Sequence, residues 1–387
     1  MSQISDLSAN WNFPTAMRCG AGRIKDLADA CRELGIKKPL LVTDPGIAKL
    51  PMVNEILEDN KAKGMPTGLF QDVKPNPTGK NVDDGVKIYR ENGYDGVIAF
   101  GGGSALDAAK AIALVAGQTR PLWDFEDVGD NWTRVNPDGV APIVAVPTTA
   151  GTGSEVGRAS VIVQEETHSK KIIFHPKMLP AIVISDPELT VGLPAPVTAA
   201  TGMDALSHCL EALCAPGYHP MADGIAVEGI RLIAEWLPIA VEDGANLEAR
   251  HHMLVAASMG ATAFQKGLGA MHSLAHPIGA IYDVHHGLTN AVLMPYVLEY
   301  NRSAIEDRMA RLAAYLGFEN PSFTTIMNWV LELKERFNIP VGLVGLGLDD
   351  SKADEIAEKA AVDPTAPTNA IPLTVADMKT IFMNALK

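Results

Sequence analysis

The sequence predicts an α/β N-terminal domain on a parallel sheet, followed by an all-α C-terminal domain. Three observations predict it. Strand and helix signals alternate through the first half. The strand-like runs are apolar at nearly every position. Beyond Asp186 the β-branched runs give way to long stretches rich in Ala, Leu and Met. Apolar strands separated by helices mark a parallel sheet covered on both faces.

The strands are expected at PLLVTD (39–44), GVIAFGGG (96–103), PIVAVPTT (142–149) and AIVISDP (181–187), each ending at Gly, Pro, Thr or Asp. Helical patterns occupy residues 23–34, 52–63, 80–92 and 104–116. The second half reads as helices over 196–214, 220–242, 246–265, 270–282, 288–300, 302–316, 322–337 and 351–361. The boundary falls between Asp186 and Pro196, giving domains of residues 1–190 and 191–387.

Composition narrows the classes. Hydrophobic content of 47% and charged content of 20% are those of a globular chain. A net charge of −14 argues against nucleic acid or an anionic membrane surface as a partner, since neither meets a basic face. No apolar run is long enough to span a bilayer, and MSQISDLSANWNFP lacks the basic and apolar regions of a secretory signal. Cys19, Cys31, Cys209 and Cys214 form no CxxC pair and read as reduced thiols of a cytoplasmic protein.

The densest chemistry lies in TGMDALSHCLEAL and AMHSLAHPIGAIYDVHHG. Asp204 and His208 are four apart on a helical stretch, so both leave one face, roughly 6 Å apart at Cβ. His272 and His276 repeat that spacing, and His285 and His286 follow closely. Asp204, His208, His272 and His286 together suit one divalent metal through oxygen and nitrogen donors. The spacing alone leaves His276 and His285 open as ligands, and leaves open histidines that merely hydrogen-bond locally. His168, His175, His219, His251 and His252 lack partners at useful spacing and read as surface or loop residues.

Three features of the first half suit a nucleotide. GGGSALDAAK (101–110) follows a strand and opens a helix, where glycines admit a pyrophosphate to free N–H groups; Leu106 replaces the third glycine of the dinucleotide fingerprint. Asp44 ends a strand, where a carboxylate either bonds an adenosine ribose 2′-hydroxyl or caps the following turn. PTTAGTGSEVGR (147–158) is a second loop of small hydroxyl residues after a strand, suited to ribose, phosphate or an amide.

As a set, KPNPT (74–78), GGGSALDAAK, PTTAGTGSE, DPELTVGLP (186–194), TGMDALSHCLEA and HSLAHPIGA with HHG resemble the iron-containing (group III) alcohol dehydrogenase family, whose fold is related to dehydroquinate synthase. The resemblance runs almost end to end. It implies metal ligands at Asp204, His208, His272 and His286, with His276 near the nicotinamide and substrate. It implies NAD contacts at Asp44, Asn76, Gly102, Gly103, Ser104, Thr148, Thr149, Lys171 and Leu189. It further implies Fe²⁺ as the metal and a homodimer or larger homo-oligomer. The ligand set itself would hold Zn²⁺ more tightly than Fe²⁺.

The chain departs from that family at Gly157 and Arg158, at Ala263-Phe264-Gln265-Lys266, at Thr365 where many members carry Cys, and at His285 where Pro is commoner. Arg158 and Lys266 are cations close in sequence to the expected site. Either would bind the distal carboxylate of an ω-hydroxy acid, or both are solvent-facing or paired with Glu155 or Asp283. The expected activity is metal-assisted hydride transfer between a small primary alcohol or its aldehyde and NAD. The alternatives are a metal- and NAD-dependent lyase or cyclase of the related fold, a metal hydrolase, and a non-catalytic binding protein.

Overall fold

The computed structural model describes residues 9–11, 13–167 and 169–387; His168 and most of the N-terminal segment read above lie outside them. The chain forms two compact units. The first comprises Met1–Gly192 and Ala245–Leu254, the second Leu193–Gly244 and Val255–Lys387.

The strands of the first unit are β1 (Ala9–Trp11), β2 (Ala16–Cys19), β3 (Pro39–Val42), β4 (Gly68–Phe70), β5 (Gly96–Gly101), β6 (Ile143–Pro147), β7 (Ala159–Gln164), β8 (Ser169–Phe174) and β9 (Ile182–Ser185). Its helices are α1 (Leu27–Glu33), α2 (Pro51–Ala62), α3 (Gly79–Glu91) and α4 (Gly103–Val115). Seven strands form one sheet in the order β1-β2-β9-β6-β5-β3-β4. Every neighbouring pair from β2 to β4 is parallel; β1 adds antiparallel to β2.

Every residue of β3, β5, β6 and β9 is buried, as the continuous apolar runs require. Alternate residues Ile98, Phe100, Val144, Val146, Ile182 and Ile184 join Leu27, Cys31, Val53 and Ile56 of α1 and α2 in one core. Thr78 starts α3 with a capping box to Asn81. The strands β7 and β8 form a separate antiparallel hairpin that the sequence reading does not contain. The half-buried SKKIIF strand opens with a serine and two lysines and has no continuous apolar run to reveal it.

The second unit is built from helices α5 (Ala195–Cys214), α6 (Pro220–Glu242), α7 (Leu247–Ala263, whose first turns group with the first unit), α8 (Ala270–Tyr282), α9 (His286–Tyr315), α10 (Phe323–Arg336), α11 (Ala353–Ala361) and α12 (Val375–Ala385). The helix α5 is buried along most of its 20 residues and packs against α6 and α9. One correction concerns α9. The expected break at residue 301 does not exist: the helix runs on through Asn301, whose buried amide is satisfied by two hydrogen bonds with Asn369, at 3.0 and 2.8 Å.

Candidate functional site

The C-terminal ends of neighbouring parallel strands β3, β5, β6 and β9 carry four loops. Asp44 lies just past β3, Gly102-Gly103-Ser104 past β5, Thr148-Thr149 past β6, and Leu189 in a short turn past β9. Open parallel sheets bind ligands at this edge. Gly102 is the extended N-cap of α4 and brings no side-chain cap, and Ser104 lies inside the first turn of the helix. A Cβ on Gly103 would stand 2.4 Å from Thr152 Oγ1, so the second loop closes directly over the first.

That second loop is anchored from beneath. Ser154 Oγ donates to Asp107 Oδ1 at 2.5 Å, and Val161 N–H donates to Asp107 Oδ2 at 2.9 Å. Lys110 Nζ, fully buried, donates to the Ser154 carbonyl at 3.0 Å. Burial pushes the Lys110 ammonium below its ordinary pKa despite Asp107 and Glu155 nearby.

The remaining nucleotide-loop residues vary in their commitments. Asp44 Oδ1 accepts the N–H groups of Gly46 (2.8 Å) and Ile47 (3.0 Å), which is the turn-capping geometry; Oδ2 takes no part in that turn. Asn76 adopts a left-handed conformation with φ 52°. Lys171, on β8, is ion-paired with Glu126 at 2.8 Å.

The metal-type residues meet in the second unit. Candidate donor atoms of Asp204, His208 and His272 lie within 4.8 Å of one another, and all three residues are buried. His286 Nε2 is 3.8 Å from Asp204 Oδ1. The two rings of His208 and His272 stack at 4.8 Å between centroids, and Phe264 packs edge-on against His208 at 5.1 Å. Asp204 and His208 leave one face of α5, as their spacing requires.

Residues absent from the sequence reading complete the cluster. Asn290 Nδ2 donates to Asp204 Oδ1 at 2.9 Å and stands 3.2 Å from both His272 Nε2 and His286 Nε2. Glu211 Oε2 is 2.6 Å from His272 Nδ1, and its Oε1 accepts Met271 N–H at 2.7 Å. Burial opposes a charge on His272, but the Glu211 and Asp204 carboxylates outweigh it and hold the ring above its ordinary pKa. Glu211 lies seven positions after Asp204 and Asn290 four after His286, so helical spacing marks both.

Lone pairs from a carboxylate and imidazole nitrogens thus converge in a buried space where one neutral amide faces them. Such a donor set fits a divalent cation. His276 stands beside the cluster, its ring stacked on His286 at 5.6 Å. Its Nδ1 is 2.9 Å from Asp363 Oδ2. Asp363 Oδ1 accepts the N–H (2.9 Å) and hydroxyl (2.6 Å) of Thr365, the residue that departs from the family pattern. Burial works against a charged Asp363, yet His276 and Thr365 hold it below the ordinary carboxylate pKa.

Lys266 requires a correction. Its side chain is 1% exposed, and its Nζ is held by Asp223 Oδ1 at 2.5 Å and the Leu213 carbonyl at 3.3 Å. An ammonium so committed is not available to a substrate carboxylate. Arg158 is exposed, with its guanidinium 5.6 Å from the Phe174 ring centre. His175 is a loop residue as expected, though buried, and its Nδ1 accepts Lys177 N–H. His251 differs from expectation: it is buried in α7, where desolvation lowers its pKa to about 4.

Known proteins resemble the chain over its whole length. Residues 14–187 match the model of the iron-containing alcohol dehydrogenases, and residues 198–386 match that of the C-terminal region of the same family. A 4-hydroxybutyrate dehydrogenase of Cupriavidus necator is 38% identical over 97% of this chain and 99% of its own. An NAD-dependent methanol dehydrogenase of Bacillus methanolicus is 35% identical over 97% of this chain and 100% of its own. The crystal structure of a 1,3-propanediol oxidoreductase superimposes with a TM-score of 0.91 at 36% identity, covering 98% of this chain and 100% of that one.

Proposed function

Because the chain belongs to the iron-containing alcohol dehydrogenase family, we propose that it transfers hydride between a small primary alcohol and NAD at the Asp204, His208, His272 and His286 cluster. One observation carries the assignment of the site: Asp204 Oδ1, His272 Nε2 and His286 Nε2 all lie within 3.2 Å of one Asn290 nitrogen. The alternatives of a lyase, a hydrolase or a binding protein find no support among relatives that are named dehydrogenases.

When bound, a divalent cation supplies Lewis acidity, the effect that lowers the pKa of water from about 15.7 to about 7. The chain's own residues do the rest. Asp204, His208, His272 and His286 would hold that cation at the substrate oxygen. His276 is held at Nδ1 by Asp363, so Nε2 is the ring atom left to hold or pass a proton. Family membership supports Fe²⁺, and the nitrogen-rich donor set supports Zn²⁺; the metal present in the cell decides between them.

NAD binds, in this reading, through Asp44, Asn76, Gly102, Gly103, Ser104, Thr148, Thr149, Lys171 and Leu189. The glycine-led N-terminus of α4 takes the pyrophosphate, and Asp44 Oδ2 takes the adenosine ribose. The name of the Bacillus methanolicus relative supports NAD as the carrier. The name of the Cupriavidus necator relative supports an ω-hydroxy acid among the substrates, with Arg158 as the candidate cation for its carboxylate. Family resemblance supports a homodimer or larger homo-oligomer. Four buried cysteines, none of them in a disulfide, support a cytoplasmic setting.

The test is NADH formation from short alcohols, diols and ω-hydroxy acids, with Fe²⁺- and Zn²⁺-loaded protein side by side. Net NADH from a primary alcohol is expected. NAD consumed and regenerated without net NADH would sink the dehydrogenase reading. Comparing 4-hydroxybutyrate with butanol in Arg158→Ala tests the carboxylate contact. An unchanged preference would remove Arg158 from the substrate site.

A further inference from the structure

Resting on the metal reading above, we propose that Glu211 is a positioning residue: it presents His272 Nε2 to the metal and balances the metal's charge.

Glu211 follows His208 by three positions on α5 and Asp204 by seven, so the three share one stripe of the helix. Its side chain is 4% exposed and that of His272 is 3% exposed. A buried carboxylate is costly unless its oxygens are satisfied. Both are satisfied by the first turn of α8: Oε1 by Met271 N–H at 2.7 Å, Oε2 by His272 Nδ1 at 2.6 Å.

Capping the start of α8 would need only the first of these bonds. The second has a different consequence. A carboxylate accepts and does not donate, so the ring proton of His272 sits on Nδ1 and the lone pair on Nε2. Nε2 is the atom that faces the point where Asp204 Oδ1 and His286 Nε2 converge. Glu211 thereby selects the tautomer that ligates.

Charge gives a second reason. Asp204 alone leaves a divalent cation with one uncompensated positive charge in a buried site. Asp204 and Glu211 together neutralise it, with all three imidazoles uncharged.

The amide variant is diagnostic because both oxygens of Glu211 accept. Glutamine offers one acceptor and one NH2 group. In Glu211→Gln the NH2 must face either Met271 N–H, donor against donor, or His272 Nδ1. The second arrangement turns the ring to the other tautomer, with its proton pointing at the metal position.

The experiment titrates Co²⁺ into metal-stripped full-length protein and follows its visible absorption, with NAD binding measured in parallel. Glu211→Gln should weaken Co²⁺ binding by about 10- to 100-fold and shift the absorption band, while NAD binding stays as in the unaltered chain. Glu211→Asp, which keeps the charge but shortens the reach, should fall between the two. Wild-type Co²⁺ affinity and spectrum in Glu211→Gln would overturn the proposal. If that variant does not fold, wild-type affinity in Glu211→Asp overturns it equally. Failure of the unaltered chain to bind Co²⁺ would be a distinct result: it would remove the metal reading, and the proposal with it.

Discussion

Gly287 faces the carbonyl of Ala200 so closely that a Cβ on the glycine would stand 2.5 Å from that oxygen and 2.9 Å from Asp204 Cβ. The start of α9, which carries His286, therefore seats directly on the turn of α5 that carries Asp204. Gly287→Ala should push the two helices apart. Overpacking of this kind costs about 1–3 kcal/mol, and the displacement separates two proposed ligands. The expected outcome is a lower melting temperature together with metal affinity reduced at least about tenfold. Full metal affinity in a destabilised variant would show that the helix contact does not set the ligand geometry.

The proposed ligands and His276 should separate by experiment. Asp204→Ala and His272→Ala are expected to lose metal and activity together while still binding NAD. His276→Ala is expected to keep stoichiometric metal and lose turnover. Its ring is held by Asp363, on the loop after α11, outside the convergence of Asp204, His272 and His286 on Asn290. Elemental analysis of the purified variants decides the point. Metal lost from His276→Ala would make that residue a ligand.

Asp44 is expected to set a preference for NAD over NADP. One carboxylate oxygen is committed to the N–H groups of Gly46 and Ile47, which fixes the group in place just past β3. Two like charges about 4 Å apart at an effective dielectric of 20 repel by roughly 4 kcal/mol, so even a screened remainder is measurable. Asp44→Gly should narrow the ratio of kcat/KM for the two cofactors, chiefly through KM for NADP. An unaltered ratio would place Asp44 outside the adenosine pocket.

A pH-dependent contribution to stability is expected from Lys334. Its Nζ is buried against the carbonyls of Val292 (3.3 Å) and Val341 (3.1 Å), and burial lowers its pKa from 10.5 to about 8. Between those values the unfolded chain binds the proton and the folded chain does not, so unfolding becomes harder as pH rises. The burial cost is fully present below about pH 8 and is relieved toward pH 10.5. The stability of the unaltered chain minus that of Lys334→Met should therefore increase over this window, by on the order of 3 kcal/mol at its upper end. Parallel urea titrations at about pH 7.5, 9 and 10.5 measure it. A difference independent of pH would mean that Lys334 is charged in the fold at all three.

What the sequence makes legible is what helical and strand periods carry. Asp204 with His208 are visible because four residues return to one helix face, and β3, β5, β6 and β9 are visible because a strand covered on both sides must be apolar throughout. Glu211 and Asn290 obey the same helical spacing and were within reach of that logic. Asp363 was not, since no local period links it to His276, 87 positions away. Lys266 shows the opposite failure. Proximity in sequence to His272 suggested a cation at the site, but its side chain is drawn inward to Asp223, 43 positions away. The hairpin β7–β8 was hidden because its alternation is broken by polar and charged residues.

The stripe of Asp204, His208 and Glu211 on a helix buried along most of its length has a consequence for the life of the protein in a cell. Three ionisable groups in a core are a standing cost to the helical unit, and a cation that binds only the folded chain offsets it in proportion to its free concentration. If the proposed site holds that cation, scarcity of the metal would remove more than turnover: it would raise the fraction of chains open to proteolysis, and the amount of enzyme would follow the supply of the ion.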